Sequence, residues 1–440
     1  MRLLVVAALI GAPIAAGSYL FLAAASQLEH WVYIKLPDQL GFSGVPGWWP
    51  ILPLLLGGVL VAATIKYLPG IGGHKPADGF KAGGLFPAAE LPGVAIAALV
   101  TLGCGAVLGP EAPLIALGGG VAAWAVSHAV KGDKSRVTVV VAAAGSFAAI
   151  STLLDNPLVG AFLLMEASGL AGATLELVLL PGLLAAGIGA LIFTGMGHWT
   201  GLGTFSLSIP HLPAVVRPSA SEFGWALLIG LAAAVVGSGI RRLALRALPA
   251  AERWIFIGTP LAGLLVAGLA ITFQQVTGHT TADVLFSGQS QLTPFVEQRA
   301  SYGLAALFLL LACKSLAYSL CLATFRGGPT FPAIFIGAAG GLALAHLPGL
   351  PVVPALGIAM GAMLTAMLRL PMTSALLAVI LLFSDGAAII PLVIVAVAVS
   401  YVGSVHLDKL GKYGEPESSR QGASAPSAQS DGGTGQPRPA

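Results

Sequence analysis

Charge is what this chain has least of. Only 9% of its 440 residues are Asp, Glu, Lys or Arg, against about 25% in a soluble globular domain. That shortage, with a hydrophobic content of 56% and a mean hydropathy of +0.90, excludes an ordinary soluble fold and indicates a polytopic membrane protein. Aromatic residues are scarce as well, at 7%, so Ala, Leu, Gly and Val supply the apolar bulk. Cysteine is confined to Cys104, Cys313 and Cys321, all in apolar surroundings. This gives neither a disulfide framework nor metal-ligand spacing. The net charge of +3 is small and spread over loops, so nucleic acid is not an expected partner, and no cofactor is implied.

Glycine and proline are abundant instead, 58 and 30 residues. That is too many for a bundle of simple long helices and implies close helix packing and helices broken within the membrane. Read in order, residues 1–22 form a first membrane helix rather than a signal peptide, and 51–67 a second. Residues 69–84 are irregular, 92–108 span, and 127–136 are a basic loop assigned to the cytoplasm by the positive-inside rule. Residues 137–152 are apolar and are broken at Asp155, Asn156 and Pro157. Residues 158–165 resume the apolar pattern, and 173–193 cross. A polar connector, 194–222, precedes a second series. In that series, 223–238 is a span closed by Arg241, Arg242 and Arg246. Spans or half-spans follow at 260–271, 302–321, 333–346, 355–368, 372–383 and 391–405. The expected fold is therefore all-α and polytopic, with a first membrane half over 1–210 and a second over 211–414. Residues 415–440 read as a disordered cytoplasmic tail.

One stretch organises the rest. Gly109-Pro110-Glu111-Ala112-Pro113 places a carboxylate between two prolines inside an apolar run, before a glycine-rich helix read from Leu114 to Gly120. A carboxylate in hydrocarbon costs several kcal/mol if charged and unpaired, so it is protonated, paired or functional. A helix N-terminus attracts anions through free N–H groups. Glu111 is then either a helix cap or an anion surrogate that competes with a soluble anion for the same place. Roughly two hundred residues later, Gly328-Pro329-Thr330-Phe331-Pro332 also precedes an apolar helix. Asn156-Pro157 and Leu370-Pro371 recur at nearly the same offset. Matching broken-helix starts in two halves mark an inverted-repeat transporter with its site between the halves.

With these motifs in order, residues 54–405 resemble the CLC family of chloride channels and proton-coupled chloride transporters. The resemblance implies a homodimer with an anion pore in each subunit, lined by three loop-to-helix motifs. The family's G-K/R-E-G-P motif corresponds to Gly109-Pro110-Glu111-Ala112-Pro113, which makes Glu111 the gate. Its G-x-F-x-P motif corresponds to Gly328-Pro329-Thr330-Phe331-Pro332, and its G-S-G-I-P motif to Gly72-Gly73-His74-Lys75-Pro76. Departures from the family are specific. The anion-coordinating serine falls at Gly73, Pro329 offers no N–H, and the motif phenylalanine falls at Thr330. The internal proton-transfer glutamate falls at Ala167, next to Glu166. Tyr401 lies too early for the pore tyrosine, and the tail is too short for the nucleotide-binding domain pair of many relatives.

The resulting expectation is transport of small anions, with chloride the default and fluoride or nitrate as alternatives. Glu111 gates, and its protonation opens the way. Gly72, Gly73, His74, Lys75, Pro110, Ala112, Gly328, Pro329, Thr330 and Phe331 are the expected anion pathway. Within it, His74 and Lys75 stand at an entrance and the Thr330 hydroxyl stands in for a lost donor. Passive, pH-dependent conduction is preferred to proton-coupled exchange because Ala167 cannot titrate. Glu166 and Glu176 are the candidates for a proton route. Lys314 and Arg369 read as structural or snorkelling, and His279 has no assigned role. The rival class is an intramembrane enzyme, but Ser168 and the histidines form no GxSxG, HExxH or paired-Asp pattern. Chloride or another small anion, protons, membrane lipid and a second copy of the chain are the expected partners. The expected location is the inner (plasma) membrane.

Overall fold

A computed structural model of the chain describes residues 2–80, 86–129, 135–154, 156–168, 173–201, 209, 212–213, 218–382 and 388–413. Helices make up the first half in the order α1 (Arg2–His30), a π-helical turn (Trp31–Lys35), α2 (Leu36–Gln39), α3 (Ile51–Tyr67), α4 (Leu91–Gly103), α5 (Glu111–Ala129), α6 (Ser135–Leu154), α7 (Pro157–Ser168) and α8 (Ala173–Thr200). The second half holds α9 (Ala220–Arg253), α10 (Ile255–Thr277), α11 (Leu292–Glu297), α12 (Leu304–Thr324), α13 (Thr330–Leu344), α14 (Val352–Leu368), α15 (Pro371–Leu381) and α16 (Ile390–Tyr413). Among the described residues, seven helical stretches are long and apolar enough to cross a membrane. The α7 and α15 helices, with 12 and 11 residues, are far short of the roughly 20 that a full span needs.

The short helices start where the sequence blocks a longer one. Asn156 Oδ1 accepts hydrogen bonds from the Leu158 and Val159 amides at 2.9 and 3.2 Å, an N-cap on α7 with Pro157 at the first helical position. Arg369 ends α14 with a left-handed φ of 62°, and Pro371 opens α15. The α5 helix begins at Glu111, not at Leu114 as read from the sequence. Its first ladder bond runs from the Leu114 amide to the Pro110 carbonyl at 3.0 Å, so the missing N–H of Pro113 falls in the first turn, where it has no intrahelical partner to lose.

Neighbour relations repeat between the halves. The pairs α4–α5, α5–α6, α6–α7, α6–α8 and α7–α8 pack together, and so do α12–α13, α13–α14, α14–α15, α14–α16 and α15–α16. Small residues make these contacts close. A β-carbon on Gly118 would stand 2.6 Å from the Gly145 carbonyl oxygen, so the α5 and α6 backbones meet directly. Such approach is how helices gain packing where water supplies no driving force.

Several boundaries differ from the sequence reading. The second-half helix does not close at its arginines: α9 continues for 34 residues through Arg241, Arg242 and Arg246. Arginine is a good helix former, and here the arginines face partners. Arg242 donates to the Leu407 carbonyl, and Arg241 pairs with Asp408 at 3.6 Å. Arg369 donates to the Ser404 carbonyl and the Asp408 carboxylate at 3.0 and 2.6 Å. It therefore fastens the end of α14 to α16 rather than snorkelling. The α8 helix runs to Thr200, into the segment read as connector. Asp155, part of the 127–136 loop, the boundary at 210–211 and the 415–440 tail lie outside the described residues.

Candidate functional site

Two glycine turns meet at the centre. The Gly109 amide donates to the Gly328 carbonyl at 2.8 Å, and the Gly328 amide donates back to the Gly109 carbonyl at 2.6 Å. This antiparallel bridge joins the start of α5 to the start of α13. Glycine is needed at both positions because the Glu111 carboxylate lies against each: a β-carbon on Gly109 or Gly328 would collide with it.

Glu111 is 1% exposed. Its Oε1 accepts a hydrogen bond from the Thr330 amide, the first N–H of α13, so an anionic side chain from one half sits on the positive end of a helix from the other. Its Oε2 is buried with no hydrogen-bond partner, and the Thr330 hydroxyl is in the same condition. The Thr330 amide is thus the one well-formed hydrogen bond the carboxylate receives from the other half, with the Thr330 hydroxyl close by. Tyr318, fully buried on α12, donates to the Pro329 carbonyl at 2.6 Å, and the Val107 amide donates to Cys321 Sγ at 3.2 Å. Phe331, 2% exposed, packs beside Gly109.

The first motif faces the second across a cavity of about 20 Å³ that reaches Gly327, the residue before the third. It is lined by Gly72, Gly73 and His74, by Ala112 and Pro113 of α5, and by Gly327. Gly72 and Gly73 have φ of 71° and 97°, left-handed values that suit glycine and disfavour the serine of the motif. The Gly73 amide is used within its own turn, donating to Gly70 O at 2.8 Å. His74 faces this cavity with its ring 5.2 Å from that of Phe86. Lys75 points elsewhere and forms an ion pair with Glu252. Pro110 precedes α5, and its carbonyl accepts that helix's first bond.

Glu166 and Glu176 are the expected proton-route residues. Glu166, near the end of α7, accepts from the Met372 amide through Oε1 at 3.0 Å. Its Oε2 accepts from the Thr373 amide and hydroxyl at 2.8 and 2.7 Å. Both oxygens thereby cap the N-terminus of α15. Glu176 lies near the start of α8, and its side chain is outside the described residues. Tyr401 is partly exposed on α16 and makes no part of the site.

Three neighbours of the site were not assigned from sequence: Tyr318, Cys321 and Arg326. A tyrosine and a cysteine inside an apolar helix give no distinctive signal, whereas Arg326, at the head of RGGPTFP, is a charge at the end of a span. Lys314 is 1% exposed and does not snorkel. Its ammonium donates to the carbonyls of Asp283, Val284 and Leu285 at 2.8, 3.2 and 3.0 Å. It also lies 4.3 Å from the centre of the Phe335 ring. The segment it holds reaches the turn before Glu111, because the Phe286 amide donates to Gly105 O at 3.1 Å.

Comparison with known proteins agrees with this layout. The family profile described as Voltage gated chloride channel matches residues 57–404. Proteins described as putative ion-transport protein YfeO from Escherichia coli O7:K1 (strain IAI39 / ExPEC) and from Escherichia coli strain SMS-3-5 are each 28% identical over 331 residues, covering 74% of this chain and 75% of theirs. Among solved structures, a slow cyanobacterial Cl−/H+ antiporter superposes with a TM-score of 0.73 at 19% identity, covering 92% of this chain and 95% of its own. A CLC-type fluoride/proton antiporter gives 0.67 at 18% identity, with coverage of 91% and 94%. At those identities the structural likeness speaks for the fold.

Proposed function

The chain belongs to the voltage gated chloride channel family, and from that premise we propose that it conducts small anions, chloride first among them, along a pathway closed by the Glu111 carboxylate. The observation that supports this most is the hydrogen bond from the Thr330 amide to the buried Glu111 carboxylate, seated between Gly109 and Gly328. A charged carboxylate there fills the place an anion would take at the start of α13. Protonation removes its attraction to the helix end, the side chain leaves, and the Thr330 N–H becomes available to the passing ion. Flux therefore rises as pH falls.

Passive conduction is the mode we favour. Exchange against protons needs a titratable relay through the apolar interior. Ala167 offers none, and both Glu166 oxygens are occupied on α15. The rival mode, proton-coupled exchange, draws on the structural neighbours described as chloride/proton and fluoride/proton antiporters. Proteoliposomes with an imposed chloride gradient and an internal pH probe separate the two. Chloride efflux that accelerates in acid, without uphill proton movement, is the expected result. Proton movement in fixed ratio to chloride would establish the exchanger, and no flux of chloride, fluoride or nitrate would remove the transport reading. We also propose, from the resemblance to the family, a homodimer in the inner membrane. Cross-linking in native membranes tests that arrangement.

A further inference from the structure

Arg326 follows the end of α12 and is 5% exposed. Its Nε donates to the Ile71 carbonyl and its Nη1 to the Phe325 carbonyl, both at 3.1 Å. Two of the five N–H groups of a guanidinium are thus accounted for. Among the described residues no carboxylate lies within ion-pair distance of it. Glu252 and Asp78 act on it only at longer range, and Glu252 is already paired with Lys75. A buried cation without a counter-ion is costly, and proteins leave one only where something else neutralises it.

Its position indicates what that is. Arg326 is the chain neighbour of Gly327, and its Cγ would stand 3.3 Å from a β-carbon on Gly72. Gly72 and Gly327 both line the cavity between the first and second motifs. Several backbone donors in and next to that cavity are committed. The Gly73 amide serves Gly70, the Gly109 and Gly328 amides serve each other, and the Thr330 amide serves Glu111. Pro329 has none, and Gly73 brings no hydroxyl. Arg326, next in the chain to Gly327 and bonded to the carbonyl before Gly72, brings a full positive charge close to this cavity without lining it.

We propose that Arg326 is the fixed-charge ligand of the anion pathway. On this proposal its guanidinium neutralises, and is neutralised by, a small monovalent anion waiting beside Gly72 and Gly327. The proposal rests on the anion-conduction reading above for its role in flux, but not for its role in binding. A guanidinium suits such a task because its charge is delocalised and weakly hydrated, and a conducting site must hold an ion without trapping it. The two carbonyl contacts fix the group in place, so the binding position is set before the ion arrives.

The test uses the full-length protein in two assays. One is the rise in melting temperature in detergent when chloride replaces gluconate, which reads binding whether or not the protein conducts. The other is the chloride concentration that half-saturates efflux from proteoliposomes. Arg326→Gln keeps a donor for Ile71 and removes the charge, and Arg326→Lys keeps the charge and loses the fork. We expect Arg326→Gln to weaken apparent chloride affinity about tenfold, equivalent to about 1.4 kcal/mol, with Arg326→Lys within about threefold of the unsubstituted protein. Unchanged affinity in Arg326→Gln overturns the proposal. So does equal loss in both variants, which would make the arginine a strut for the Ile71 turn. If Arg326→Gln does not give a monodisperse protein, Arg326→Lys decides alone: retained affinity supports the charge, and tenfold loss refutes it. Absence of flux in the unsubstituted protein, with chloride still raising its melting temperature through Arg326, would sink the conduction reading and leave the site standing.

Discussion

Two carboxylates reach across from the first half of the molecule to helix starts in the second, and they are held differently. Glu166 gives both oxygens to the N-terminus of α15, receiving three hydrogen bonds from Met372 and Thr373. Glu111 gives one oxygen to the N-terminus of α13 and leaves the other buried without a partner. Buried polar atoms are nearly always satisfied, so the weaker set of partners makes Glu111 the less firmly held of the two. The same chemistry, an acid on a helix dipole, makes a fastening in one place and, on the proposed reading, a latch in the other. What separates them is the number of donors within reach.

Removing the latch's charge tests the contrast most sharply. A charge-assisted hydrogen bond is worth about 1.5–3 kcal/mol, or about ten- to hundredfold in the population of the released side chain. Glu111→Gln is accordingly expected to raise chloride efflux at neutral pH by about tenfold or more, and to flatten its dependence on pH. Efflux that keeps its slope with pH would show that another group gates. Acting on the same latch from the opposite side, Gly328→Ala places a methyl where the Glu111 carboxylate lies. It should open the pathway in the same direction by a smaller factor and add nothing to Glu111→Gln. Additive effects in the double variant would mean that the two residues act separately.

The fastening should answer in stability instead. Glu166→Ala strips α15 of its cap and is expected to cost about 2–3 kcal/mol, read as a lower melting temperature in detergent, while the acid activation of efflux remains. Glu166→Gln preserves one acceptor oxygen and should cost about 1 kcal/mol. Loss of proton movement in either variant, in a protein shown to move protons, would return Glu166 to the role of relay.

The broken helices were legible in the chain because the residues that break them act locally. Asn156-Pro157, Arg369 to Pro371 and the two glycine-proline turns dictate their own backbone, and Glu111 stands out wherever it is placed. What the sequence did not disclose were partners far along the chain. Glu166 is a candidate proton carrier in the sequence because it stands next to Ala167, where the family's internal glutamate falls, and its donors lie over 200 residues away. Lys314 allowed two readings because its carbonyl acceptors belong to a segment that looks like an ordinary polar loop. Arg326 drew no comment because a charge at the end of a span is usually solvated, and only the folded chain shows it covered. Helix ends were missed for a related reason. The arginines of α9 read as a boundary, but with partners on α16 they extend the helix past the apolar run.

The glycine bridge also bears on how the molecule is made. Gly109 leaves the ribosome well before Gly328. Thr330 follows Glu111 by 219 residues, an interval of roughly ten to forty seconds at about 5–20 residues per second. Throughout that time the peptide groups of Gly109 lack the strand-like partner they will have, in a setting where an unpaired peptide group is heavily penalised. The first half of the nascent chain is therefore an unfinished wall. The helices that emerge later supply the partners of both Gly109 and Glu111. On the proposed reading, a chain that ends before Gly328 lacks both the second wall of the pathway and the seat of Glu111.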